Sequence, residues 1–293
     1  MKESIISLNL MLLTFVVFGQ KSPFDRKYKL GDVYRYKLTC TELHNGAWES
    51  TIISVCELKV IKDSTGVFYD QVKWLSKQLL TEKDTLDETN KAISVKPYLI
   101  SLDKKGKLDL PKITVPSMTE PIQDFNTFFV AVSPQLGTTA LTNVGDTITK
   151  SDFIKGDFSN GSFILQGDDC FLIKLLMASK TFKTVFTEVQ FLPPDKICFP
   201  YVLNEMNEPV VEGTINNFQM IQPTSDTTFN VQYGKEVFTI KSEVYKTNGK
   251  LKSATMDNTL NLKLKINCNK DYKNSQFEMP FTIQRNLQLE LIK

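Results

Sequence analysis

Arg285 breaks the pattern of its surroundings. Phe281, Ile283, Leu287 and Leu289 recur at every second position near the C-terminus. That is the spacing of a strand with one apolar face, and Arg285 falls on the same face. A guanidinium among apolar side chains needs an anion or carbonyl groups around it. Two sources could supply them: an acidic side chain of the same chain, or the carboxylate or phosphate of a bound molecule. Apolar walls with one placed charge suit a fatty or amphiphilic acid. Arg285, Phe281, Ile283 and Leu287 are therefore the candidate ligand-binding set.

Other reactive residues offer less. His44 is the only histidine, so a Ser-His-Asp or Cys-His centre would have to use it. It lies in an expected turn, as an exposed imidazole. Asp168 and Asp169 are adjacent, which suits a turn better than a paired-carboxylate site. Asn269, Asp271 and Asn274 could present oxygens to calcium, but the segment lacks the glycine and distal acid of an EF-hand loop. No glycine-rich phosphate loop, His-Glu-x-x-His or paired-cysteine pattern occurs. No catalytic residue, metal ligand or cofactor is assigned, and the chain is read as a non-enzyme. Carboxylates for glycoside chemistry can come from any part of a fold, which keeps a hydrolase as a lesser alternative.

Composition narrows the class. The 293 residues are 41% hydrophobic and 23% charged, with a net charge of +2. These are globular values, and the charge is too near neutral to point to nucleic acid. Residues 1–19 read as a signal peptide: Lys2, an apolar run over 5–18, then Val17 and Gly19 at the cleavage positions. The run is shorter than the roughly 20 residues of a spanning helix. Export permits disulfides. With five cysteines (Cys40, Cys56, Cys170, Cys198 and Cys268) at least one thiol stays without an intrachain partner. Cys56 and Cys170 lie in apolar strands and read as small buried residues.

The elements that must position Arg285 are short strands. Residues 33–43 alternate, with Tyr34, Tyr36, Leu38 and Cys40 on one face, and His44-Asn45-Gly46 follows as a hairpin turn. Further strands are expected over 51–61, 67–75, 98–102, 107–110, 162–166, 171–177, 183–192, 197–203, 237–245, 250–254, 260–268 and 281–291. Residues 81–90 read as a loop or frayed turn. One helix is expected, over 124–132, capped by Asp124, with Phe125, Phe128, Phe129 and Val132 on one face. Ser133-Pro134 ends it. The reading is an all-β or β-dominated α+β fold with few short helices.

The chain also reads as two related halves, residues 20–135 and 136–293. Leu30-Gly31-Asp32 is echoed by Val144-Gly145-Asp146, Asn45-Gly46 by Asn160-Gly161, and Cys56 by Cys170, in the same order. Gly31 to Cys56 and Gly145 to Cys170 are the same interval. Each half is expected to form curled, half-barrel-like antiparallel sheets.

The export signal, the Leu30-Gly31-Asp32-Val33-Tyr34-Arg35-Tyr36 opening and the curling strands resemble uncharacterised exported envelope proteins of Gram-negative bacteria. Over residues 28–293 the layout is similar to the lipoprotein-carrier (LolA-like) half-barrels. That resemblance implies a concave apolar face beneath a helix, able to hold acyl chains; this chain is longer and doubled. It implies the periplasm or cell envelope as the location, with a lipid or amphiphile as ligand. An envelope protein is the other candidate partner, in which case the chain is a structural or partner-binding module without a small ligand. A membrane β-barrel, whose strands also alternate, is a lesser alternative.

Overall fold

The computed structural model describes residues 22–106, 108, 113–150, 172–192 and 218–292. Residues 1–19, Asn160-Gly161, Asp168-Asp169, Cys170, Cys198 and the strands expected over 162–166 and 197–203 lie outside them. So does the 107–110 strand apart from Leu108.

In chain order the elements are strands β1 (Val33–His44), β2 (Ala47–Lys62), β3 (Phe68–Thr81) and β4 (Thr85–Asp87), helix α1 (Thr89–Ser94), strand β5 (Tyr98–Ile100) and helix α2 (Thr119–Ala131). Strands β6 (Thr147–Lys150), β7 (Leu172–Lys180), β8 (Thr184–Leu192), β9 (Phe218–Pro223), β10 (Phe229–Tyr245), β11 (Leu251–Cys268) and β12 (Phe277–Leu291) complete the fold. The fold is β-dominated. All strands join one open antiparallel sheet, in the order β4-β3-β2-β1-β12-β11-β10-β8-β7-β6. β5 adds to β3, and β9 adds to β10. The last strand pairs with the first, Cys40 opposite Leu287, so the strands of residues 20–135 and 136–293 share a single sheet.

Turn chemistry sets the register. Asn45 and Gly46, at φ 49° and 81°, form the two-residue link between β1 and β2, where both central residues need positive φ. The Gly31-Asp32 and Gly145-Asp146 turns dock alike. Gly31 N donates to Val60 O and Val60 N to Asp32 O; Gly145 N donates to Met177 O and Met177 N to Asp146 O.

Helix α2 differs from expectation at its start. It begins at Thr119, five residues before Asp124, which is not a cap. Pro121 is tolerated in the first turn because N–H groups there have no intrahelical acceptor. The end agrees: Val132 is the C-cap, and Ser133 Oγ then accepts from Leu136 N in a following 3₁₀ turn. The helix is buried on nearly every side from Pro121 onward, as expected when an apolar helix lies within a core. Phe125 meets Trp74 of β3 edge-on at 5.7 Å and Tyr36 of β1 at 5.9 Å. The helix also contacts β10 and β12. The sheet therefore bends around α2, and one core cluster runs from Val72 and Trp74 to Leu175 and Val189.

Two further differences have simple causes. Residues 81–90 hold β4 and the start of α1 rather than a loop. Lys77, 3% exposed, reaches from β3 to Glu88 Oε2 (2.6 Å) and Ser117 O (2.7 Å), and so fastens that segment. The strands expected over 250–254 and 260–268 are one strand, β11. Asn258 broke the apolar alternation, yet it faces inward, its amide donating to Glu236 Oε1 at 2.6 Å.

Candidate functional site

Period-2 alternation on β12 places Met279, Phe281, Ile283, Arg285, Leu287 and Leu289 on the face that looks at α2. Directly opposite residues of antiparallel neighbours share a face. Register therefore sets Arg285 in a row with Glu42 of β1, Asn258 of β11 and Phe238 of β10. The next row is His44, Ile283, Leu260 and Glu236. Beyond it lie Phe281, Leu262 and, across Gly234, Phe218 of β9.

Helix α2 supplies the partner of Arg285. Arg285 Nη2 donates to Asp124 Oδ2 at 2.7 Å, and Glu120 Oε1, four residues earlier on the helix, stands at 3.8 Å. Cys40 Sγ is 3.6 Å away. Burial alone would lower the Arg285 pKa, but Asp124, Cys40 and Glu120 outweigh it and hold the guanidinium charged well above its usual range. Burial raises the Asp124 carboxyl and Arg285 opposes that. The charge belongs on both partners, because the guanidinium stays protonated at hydrogen-bond distance. Burial, tempered by Arg285, pushes the Cys40 thiol up to about 12, so Cys40 is inert at neutral pH. Burial also raises Glu236, with Asn258 pulling it back.

Of the sequence-derived set, Leu287 is sealed in the core at 2% exposure. Arg285 is mostly buried in its pair with Asp124, and Ile283 and Phe281 are half-buried further along the face. The set shares one face, but Leu287 and Arg285 lie under α2 while Ile283 and Phe281 lie past it. His44 is not a free exposed imidazole. Its Nε2 sits 2.5 Å from Glu42 Oε1, its Nδ1 3.7 Å from Glu49, and its ring meets Phe281 edge-on at 5.1 Å. Asn269 Oδ1 accepts from Asn274 N at 3.4 Å, so this loop spends an oxygen on its own turn. Among the described residues no group of three or more His, Cys, Asp or Glu side chains is placed to hold a metal ion. No helix of the described residues is long and apolar enough to cross a membrane.

A second buried ion pair lies outside the sequence-derived set. Arg26 Nη2 lies 3.9 Å from Asp70 Oδ1, their side chains 2% and 0% exposed. Neither Asp70 oxygen has a hydrogen bond of ordinary geometry. Arg26 is better served: its Nη1 donates to Lys27 O (2.8 Å) and Asn248 O (3.4 Å), and its guanidinium lies 4.5 Å above the Tyr28 ring.

No protein-family model matches the chain, and no curated protein matches its sequence. Among solved structures, the chain is similar to one described by lipid–protein interactions in lipovitellin. Identity is 9%, the alignment covers 91% of this chain and 26% of that one, and the TM-score is 0.39. The chain thus spans about a quarter of that neighbour's length, and a likeness this distant carries no argument about function.

Proposed function

We propose that the chain is an exported, non-catalytic protein of the periplasm or cell envelope that binds an apolar or amphiphilic ligand against its inner sheet face. The supporting observation is the uncovered continuation of that face. Helix α2 covers it as far as Arg285. Past the helix the same face continues as Ile283, Phe281 and Met279 of β12, Leu264 of β11, and Phe218 and Met220 of β9, all half-exposed. Gly234 adds no side chain between Leu262 and Phe218 in the row. Its backbone lies so close to β11 that a Cβ would collide with Asn261 O. Apolar tails fit such a strip, and the Glu42–Arg285–Asn258 row gives it a polar end. An open antiparallel sheet bent around one helix is also the layout expected of lipoprotein-carrier-like half-barrels.

The test is extraction of the purified protein with organic solvent, mass spectrometry of what is released, and titration with a fluorescent fatty acid. Saturable binding is expected, weakened at least tenfold in Phe281→Asp and Ile283→Asp. Both side chains are half-exposed, so the fold should survive. No co-purified amphiphile and no saturable titration would leave a protein-partner-binding module as the better reading.

A further inference from the structure

At the other end of the sheet, a half-open cavity of about 330 Å³ is lined by Lys27, Lys180, Lys246, Ser22, Thr142 and Asn143. Strand ends and turns bring them together. Lys180 ends β7, and Lys246 follows β10, its N–H bonded to Lys183 O. The 142–145 turn docks on β7 through Gly145 N and Met177 O. The N-terminal segment crosses the β10–β11 turn, with Lys27 N donating to Asn248 O at 2.8 Å.

The charges here do not balance. Lys27 Nζ holds Thr247 O at 2.8 Å, and Lys246 Nζ holds Thr181 O at 3.2 Å. Neither they, Lys180 nor Lys183 has a carboxylate partner among the described residues. The nearby acids are already committed. Asp25 pairs with Lys104, Asp32 with Lys250 and Glu243 with Lys252. Asp146 Oδ2 accepts from Thr142 N, Thr142 Oγ1 and Asn143 N. An independent feature flanks the cavity: Phe182, at the tip between β7 and β8, is 93% exposed, and Val144, on the facing turn, is 56% exposed. Unpaired lysines beside exposed apolar tips match a surface that is anionic outside and apolar within.

We propose that this end of the sheet docks on an anionic lipid bilayer. Headgroup phosphate sits among Lys27, Lys180 and Lys246, while Phe182 and Val144 enter the interface. This does not rest on the ligand reading, because the strip around Phe281 lies at the opposite end of β12.

The experiment is co-sedimentation of the purified protein with vesicles of phosphatidylcholine, with and without phosphatidylglycerol, at low and high salt. Binding should require phosphatidylglycerol and fall with salt as the Debye length shrinks. Changing Lys180, Lys183 and Lys246 to Gln should weaken it about a hundredfold, from about fivefold per lysine charge at an anionic surface. Phe182→Ser should weaken it severalfold while leaving the salt dependence intact. All four side chains are on the surface, and unchanged thermal melts would show that the variants fold. Equal binding to neutral vesicles, no binding to either, or an unaffected triple variant would overturn the proposal. So would glycerol phosphate competing at its free concentration as well as vesicles do, which would mark a site for free anions. Binding to an acidic protein without vesicle binding would likewise overturn it.

Discussion

Among the described residues two arginine–aspartate pairs are buried, and they are built differently. Arg285 and Asp124 meet at 2.7 Å with a direct hydrogen bond, their side chains 17% and 9% exposed. Arg26 and Asp70 are the more deeply buried, yet they stand 3.9 Å apart, and neither Asp70 oxygen has a hydrogen bond of ordinary geometry. In the first pair the arginine depends on the acid: Arg285 Nε has no partner, and Nη2 is committed to Asp124 and Cys40. In the second, backbone carbonyls and tyrosine rings serve the arginine, while the acid has a long contact with Arg26 and the nearby Tyr34 and Tyr28 hydroxyls. The comparison teaches that depth of burial does not set the worth of an ion pair. What each charge keeps when its partner is removed sets it.

The largest effect follows from the first pair. Asp124→Ala should lower unfolding stability by about 3–5 kcal/mol, because it strands the Arg285 guanidinium between sheet and helix. Alanine suits the helix interior, so the loss would come from the charge and not from helix propensity. Urea unfolding measures it. A loss below about 1 kcal/mol would mean that water or another acid, Glu120 first, serves Arg285 as well.

A smaller effect separates pairing from packing. In a double-mutant cycle with Arg285→Met and Asp124→Leu, the double variant should recover much of what each single change loses, since apolar replacements of both charges are often neutral. The coupling should be at least about 1.5 kcal/mol, the lower range measured for close charge pairs. The same cycle on Arg26→Met and Asp70→Leu should give under about 1 kcal/mol, as the geometry is poor. Equal couplings would break the comparison.

The sequence showed one member of each pair to different degrees. Arg285 stood out because it interrupts Phe281, Ile283, Leu287 and Leu289. Asp124 is visible but ambiguous in the sequence: an acid ahead of an apolar helical run looks like a cap, and nothing local says that the helix starts at Thr119. Its partner is 161 positions away, and single-sequence patterns do not cross such distances. Asp70 carried the signal that exposed Arg285, since it interrupts Phe68, Val72 and Trp74 at the same spacing. Asn258 hid in another way, by splitting one long strand into two apparent ones. The β-rich class was legible because alternation and Asn-Gly turns are local. The joining of β1 to β12 and the bending of the sheet around α2 were not, because both depend on pairing between distant segments.

The smallest expected effect is the most specific to the second pair. Burial raises the Asp70 carboxyl above its ordinary value of 3.8, and nearby Arg26, the Tyr34 and Tyr28 hydroxyls and Lys250 offset this only in part. A carboxyl whose pKa is raised by folding binds its proton in the native state where the unfolded chain has already lost it. The associated stability is complete below the unfolded value and is lost as pH rises through the folded one. Asp70→Asn fixes the neutral form. At acid pH, where Asp70 is protonated in both states, the variant should match the wild type. As pH rises toward 7, the wild type should fall progressively behind, because ionising Asp70 costs more in the folded chain than in the unfolded one. Asparagine would therefore stabilise at this site at neutral pH, while alanine at Asp124 destabilises. Urea midpoints of both proteins from about pH 2.5 to pH 8 give the answer. If Asp70→Asn were the less stable protein at pH 7, Asp70 would be a working counter-charge for Arg26, and the two pairs would be alike after all.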